Sequence, residues 1–184
     1  MKKWAISLAF LMLLTGCAGK DEIERGMALR STLLRSSGSF DANITADYGN
    51  KCHSFTMHCA FDEQGDLEFT VIKPEEISGV TGKIEDSAGA LTFDDTVLYF
   101  DLLTDRQLSP VSSPWILLHT LRSGYLTAAG EEEELLRLTM DDTYEEDALH
   151  LDVWLNDENK PIRGEILYDG RRILSLDVEN FVIG

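Results

Sequence analysis

Ten consecutive positions alternate without a break: Phe40, Ala42, Ile44, Ala46 and Tyr48 against Ser39, Asp41, Asn43, Thr45 and Asp47. Period-two alternation predicts an antiparallel strand with one buried face. Gly49-Asn50 turns the chain, and Cys52 to Phe61 reads as the next strand. Glu63-Gln64-Gly65 turns it again into Leu67 to Ile72, which ends at Lys73-Pro74. Shorter strands fit Gly79 to Ile84, Ala90 to Phe93 and Thr96 to Phe100. Near the end of the chain Glu134 to Met140 alternates weakly, and Leu149, Leu151, Val153 and Leu155 alternate well. Ile162 to Tyr168 and Arg172 to Val182 flank Asp169-Gly170, a strong two-residue hairpin signal. The parity of these runs turns Phe40, Ile44, Phe69, Val71, Leu151, Val153, Ile166 and Leu176 toward one core. Nine or ten strands joined by short turns, with no repeat, predict a mainly β, single-domain α+β fold whose antiparallel sheet curls into a barrel or partial barrel.

Two stretches depart from this period. Glu22 to Arg35 has helical spacing, with Ile23, Met27, Arg30 and Leu34 near one side and Leu33 beside them. Gly26 weakens it, and Ser36-Ser37-Gly38 ends it. The second stretch is Ser113-Pro114-Trp115-Ile116-Leu117-Leu118-His119-Thr120-Leu121-Arg122-Ser123-Gly124. Ser113 is placed to cap this helix, Pro114 suits its first turn and Gly124 can close it. Trp115, Ile116, Leu117, Leu118 and Leu121 cover more than one face, so this is no surface helix.

The first residues form a separate unit. Lys2 and Lys3 precede an apolar run from Trp4 to Leu14 broken by Ser7, and Leu14-Thr15-Gly16 leads directly to Cys17. A secretory signal has this layout. The run is shorter than the ~20 apolar residues that span a bilayer, which argues against a retained anchor helix. The Leu14–Cys17 string resembles the lipobox of bacterial lipoproteins. That resemblance implies cleavage before Cys17 and acylation, including palmitate, on Cys17. Residues 1–16 are then signal peptide, 17–21 the acylated cysteine and tether, and 22–184 the folded domain. Ala18 follows Cys17, where an Asp commonly marks retention at the inner membrane. The protein is therefore expected in the cell envelope, on the outer face of the plasma membrane or on an outer membrane.

Removing residues 1–16 takes away Lys2 and Lys3 and no acid, so 14 basic residues face 33 acidic ones, a net charge of −19. Such a surface repels nucleic acid and anionic headgroups. Cys52 and Cys59 lie seven apart on one extended run, which sets them on opposite faces and too far apart for a disulfide. Cys59 is expected to be buried. The spacing of Cys52-His53 and His58-Cys59 matches no zinc finger. Glu131 to Glu134, Asp141-Asp142 and Glu145 to Asp147 lack the ligand order of a calcium loop and read as solvated loops. His119 and His150 read as solvated. No nucleophile, phosphate-loop or zinc-protease motif is present. A monomeric binding protein without catalytic residues, metal or cofactor is the expectation.

A helix, a strand meander, an inserted helix and a second meander, behind a lipobox, resemble the lipoprotein-carrier fold of the LolA/LolB proteins over about residues 22–182. The resemblance implies an unclosed half barrel with helices across its open side, covering an apolar cavity that receives acyl chains. The segment Phe69-Thr70-Val71 through Pro74 to Gly79 is similar to a stretch common in such lipoproteins. The candidate ligand-binding residues are Trp115, Leu118 and Leu121 on the second helix, Met27 on the first, and Phe69 and Val71 on a strand. A lid held by apolar contacts alone could open without breaking charges. Alternatively the second helix is an ordinary core helix plugging the half barrel. The fold also occurs in sensory domains, so an envelope sensor or scaffold that binds a protein partner is the other function class. The membrane-extracted chain is expected to begin at Cys17 and to carry acyl mass there. Cys17→Ser should leave the chain unprocessed or released, and an unmodified Cys17 on extracted protein overturns the lipobox reading.

Overall fold

A computed structural model describes residues 20–184 except 94, 95, 102, 105, 106, 146 and 147. The expected signal peptide and acylation site, residues 1–16 and Cys17, lie outside the described residues. The first helix, α1 (Lys20–Leu33), begins inside the expected tether and ends two residues earlier than its spacing suggested. Then follow β1 (Gly38–Asp47), β2 (Cys52–Phe61), β3 (Leu67–Lys73), β4 (Thr81–Glu85), β5 (Ala88–Phe93) and β6 (Thr96–Asp101). Two short strands, β7 (Leu103–Thr104) and β8 (Gln107–Leu108), lead to α2 (Ser113–Ser123). The chain ends with β9 (Tyr125–Glu132), β10 (Leu135–Asp141), β11 (His150–Leu155), β12 (Pro161–Tyr168) and β13 (Arg171–Ile183).

Eleven strands form one antiparallel sheet in the order β6-β5-β4-β3-β2-β1-β13-β12-β11-β10-β9. The last strand returns beside the first, with Ala42 opposite Val178 and Ile44 opposite Leu176. The two ends, β6 and β9, do not pair with each other, so the sheet is an unclosed half barrel. Register shifts interrupt the pairs β1–β13, β2–β3, β9–β10, β11–β12 and β12–β13. An inserted residue bends a strand and raises its twist, which curls a sheet this wide. One shift sits where Asn180, at φ 54°, opposes β1, and its amide donates to Asp41 at 2.8 Å.

All eight residues expected to point inward do so: Phe40, Ile44, Phe69, Val71, Leu151, Val153, Ile166 and Leu176 are buried. Phe40, Phe61 and Phe181 form an aromatic cluster at one end, with ring centroids 5.5–6.4 Å apart. Both described cysteines lie on β2, Cys52 exposed and Cys59 buried, and burial pushes the Cys59 thiol pKa far up. The Asp169-Gly170 hairpin forms as expected, with both residues at positive φ.

Three expectations need correction. The buried face of α1 is Gly26, Leu29 and Leu33, whereas Ile23, Met27 and Leu34 are exposed. Gly26 causes this rotation. A Cβ there would stand 3.0 Å from Leu138 Cδ1 of β10, so the helix turns its bare backbone to the sheet and comes close. Second, β9 replaces an expected loop. It is an edge strand of small residues, and Glu133 and Glu134 make its hairpin turn at φ 53° and 65° with no turn chemistry in their side chains. Third, the acidic run at Glu131–Glu134 is not wholly a solvated loop: Glu131, Glu133 and Glu134 are exposed as expected, but Glu132 is engaged. On the outer face of the sheet Glu132 accepts from Arg137 (3.0 Å) and from the indole of Trp154 (3.1 Å). Arg137 also grips Asp152 at 2.8 Å, and Arg163 lies 3.8 Å over the Trp154 ring.

Leu151→Ala and Ile166→Ala remove inward-facing side chains that are fully packed. Each is expected to lower unfolding free energy by about 2–5 kcal/mol in denaturant titration. Losses under ~1 kcal/mol would mean that the concave face is not the core.

Candidate functional site

The site is built around α2. A 3-10 turn at Pro110–Ser112 feeds the helix, and the hydroxyls of Ser112 and Ser113 turn back to the carbonyls of Ser109 (2.6 Å) and Pro110 (2.7 Å). Ser113 is therefore the first helical residue and not the cap expected for it. The Tyr48 hydroxyl donates to the Leu108 carbonyl at 2.7 Å and pins this approach to the end of β1. Eight of the eleven α2 residues are buried. Leu117 sits over Gly164 of β12, where a Cβ would stand 3.3 Å from Leu117 Cδ1. Glycine at that position lets the helix settle deep into the curl.

The two helices cap each other. From α1, Arg30 donates to the carbonyls of Leu121 (3.0 Å) and Gly124 (2.5 Å) at the end of α2. From α2, Arg122 donates to the carbonyl of Leu33 at the end of α1 (2.5 Å) and to that of Glu63 in the β2–β3 turn (2.6 Å). Last-turn carbonyls lack partners inside their own helix, and a cation beside them also meets the negative end of the helix dipole. Burial draws the Arg30 pKa somewhat below the usual arginine value. These bonds correct the expectation of a lid held by apolar contacts alone: lifting α2 breaks bonds to charged groups.

Five of the six predicted ligand residues meet in one buried core, and Met27 lies apart from them. Leu118 and Leu121 are packed into the core at 1% and 2% exposure, and Phe69 and Val71 face the same core from β3. Met27 lies on the outer side of α1, 45% exposed. Trp115 stands at a surface cavity. Its ring stacks on His119, with centroids 4.4 Å apart and planes 15° off parallel. The cavity, of about 350 Å³, opens at the flank of α2 and is lined by Leu108, Trp115, Ile116, Thr120, Asp142 and Leu149, among others. A second, more polar hollow of about 290 Å³ adjoins it across the Trp115–His119 pair and is reached by Arg122. The β4–β5 turn borders both, with Asp86 and Ser87 at φ 45° and 69°.

Partial burial lowers the His119 pKa, the nearby Asp142 carboxylate opposes that fall and Arg122 adds to it. The lowered pKa favours neutral His119 at pH 7, and its exposed side chain agrees with the solvated reading. Sequence reasoning passed over Leu108, Ile116, Thr120 and Leu149 as site residues. Ile116 and Thr120 sit one turn apart on α2, and their i, i+4 spacing was the available signal. Leu108 ends the short strand β8 and Leu149 precedes β11, and no local pattern joins them. No helix among the described residues is long and apolar enough to cross a membrane.

The architecture is one unclosed antiparallel half barrel with two helices, the arrangement that the resemblance in the sequence implied. No family model matches the chain, and no curated protein matches it. Among solved structures it is similar to a LolA superfamily protein from Nitrosomonas europaea, at 6% identity and a TM-score of 0.43, over 85% of this chain and 92% of that one. It is also similar to the lipoprotein LppX from Mycobacterium tuberculosis, at 10% identity and a TM-score of 0.43, over 88% and 93%. A DUF1329 family protein from Desulfovibrio piger matches at 9% identity and a TM-score of 0.49, over 89% and 92%.

Arg30→Ala and Arg122→Ala are each expected to cost about 1.5–3 kcal/mol of unfolding free energy, the worth of hydrogen bonds to a charged group. Because both guanidinium groups hold the same pair of helix ends, the double variant should lose less than the two single losses together. Additivity to within ~0.5 kcal/mol would show that the two caps act independently.

Proposed function

We propose that this protein is a lipoprotein of the cell envelope, anchored through Cys17, that binds an apolar ligand such as the acyl chains of a lipid or lipoprotein. The observation that carries this reading is the cavity at the flank of α2, floored by Leu108, Trp115, Ile116 and Leu149. Its volume lies at the low end of the range for small-ligand sites, about 300–1,000 Å³. A chain laid on that floor leaves water, at a gain of ~0.8 kcal/mol per buried CH₂. The core beneath α2 is filled by Leu117, Leu118 and Leu121, so the ligand enters from the flank and not beneath a lifted helix. Binding, not bond-making, is the work assigned to the site.

One observation favours a second reading, an envelope scaffold or sensor that binds a protein partner. The edge strand β6 exposes Val97, Leu98 and Tyr99, at 50%, 63% and 81%, and pairs on one side only. Such an edge can accept an extended segment of another chain.

The test uses the Cys17→Ser chain purified from a bacterial host. Native mass spectrometry is expected to show co-purified lipid, and a fluorescent fatty-acyl glycerol with an uncharged head should bind saturably. Trp115→Ala should weaken that binding about tenfold, a loss of ~1.4 kcal/mol. A folded chain that carries no lipid and ignores the probe overturns the lipid reading. Stoichiometric capture of a membrane protein that is lost on Leu98→Lys would then establish the scaffold.

A further inference from the structure

The flank cavity is apolar at its floor and acidic at its rim. Asp142 and Glu145 stand among its lining residues, and among the described residues no Lys or Arg lines it. Asp142 is held in place, because its Oδ1 accepts the backbone N–H of Leu149 at 2.7 Å, while its second oxygen has no bond among the described residues. His119, neutral at pH 7, does not offset this charge. A third polar group lies deeper. Thr120 is 1% exposed, it lines the cavity, and its Oγ1 has no hydrogen-bond partner among the described residues. A helical threonine ordinarily returns its hydroxyl to the carbonyl one turn back. Here the hydroxyl is left for whatever fills the space, since a buried hydroxyl without a partner is costly.

We propose that the cavity selects a cationic amphiphile: an ammonium head between Asp142 and Glu145, a hydroxyl or carbonyl next to the head that pairs with Thr120, and an apolar chain against Ile116, Leu149 and Leu108. The inference rests on the reading that this cavity takes an apolar chain, and it adds the chemistry of the head. A carboxylate or phosphate head would face two like charges with no cation among the described lining residues, Arg122 reaching only the adjoining hollow, which costs affinity by repulsion and by desolvation without a partner. An ammonium donates to both carboxylates in charge-assisted hydrogen bonds. Thr120 then discriminates among amines. A plain alkylammonium leaves the hydroxyl unpaired, and an amino alcohol satisfies it.

The test is displacement of the fluorescent fatty-acyl glycerol from the Cys17→Ser chain by twelve-carbon competitors below their micelle concentrations, at ~150 mM salt to screen the general acidity of the surface. The competitors are dodecylammonium, 2-aminododecan-1-ol, monododecanoyl glycerol and dodecanoate. Dodecylammonium should displace the probe about tenfold more tightly than dodecanoate, with the uncharged glyceride between them. Asp142→Asn with Glu145→Gln should bring that ratio to within about twofold and leave glyceride binding in place. The asparagine still accepts the Leu149 N–H, so the loop keeps its shape. Glu75→Gln with Glu76→Gln, two exposed acids outside the cavity, should leave the ratio unchanged. Thr120→Val should remove the advantage of the amino alcohol over dodecylammonium. Equal displacement by cation and anion, or a preference that survives the double variant at the rim, overturns the proposal while the apolar site stands. Failure of the fluorescent glyceride itself to bind overturns the apolar site, and this proposal with it.

Discussion

Burial of α2 is the constraint to which the rest of the structure answers. A helix that carries Trp115, Ile116, Leu117, Leu118 and Leu121 around most of its circumference can give water little beyond the edge at His119 and Ser123. Each such side chain contributes roughly 1.5–3 kcal/mol when taken out of solvent. A flat sheet could cover one side of such a helix. Only a sheet curled around it covers several, and the bulged strand pairs supply that curl. Gly164 removes the side chain that would hold the helix off the sheet floor. With α2 inside, the barrel cannot close, and β6 and β9 remain as separate edges. The half-open shape is thus a consequence of what it contains.

Much of this was legible in the sequence because one face of the sheet is buried and the other is wet. Strict alternation in β1 and in β11 carried parity, and parity carried the core: Phe40, Ile44, Leu151 and Val153 needed no tertiary information to be placed inward. The errors fall where a local signal was absent or outvoted. In α1 three large apolar residues outweighed one glycine on the helical wheel, yet close approach to Leu138 decided the face, and that approach depends on a strand more than a hundred residues away. In β9 small residues and a run of glutamates gave no strand pattern, because an edge strand needs burial on little of its length. The turn at Glu133-Glu134 adopts a conformation that glycine or asparagine normally announces.

The site was less legible than the fold. The greasy helix singled out in the sequence borders a cavity, but its leucines serve the core, and the residues that form the cavity are those at its margin. Leu108, Leu149 and Asp142 come from connections that meet only after the sheet has curled. Thr120 looked like an ordinary polar break in an apolar run, and its meaning depends on a missing hydrogen bond that only coordinates reveal.

The exchange of arginines between the two helices joins distant parts of the chain mechanically. Arg30 and Arg122 link the helix nearest the amino terminus to the last turn of the helix beside the cavity, and Arg122 extends the linkage to the β2–β3 turn. A load that enters at Lys20 therefore does not stop at α1. It passes through three hydrogen bonds, two from Arg30 and one to the Leu33 carbonyl, into α2, which carries Trp115, Ile116 and Thr120 at the cavity wall. In a chain held by its amino-terminal end, the tether and the pocket lie in series along one line of force.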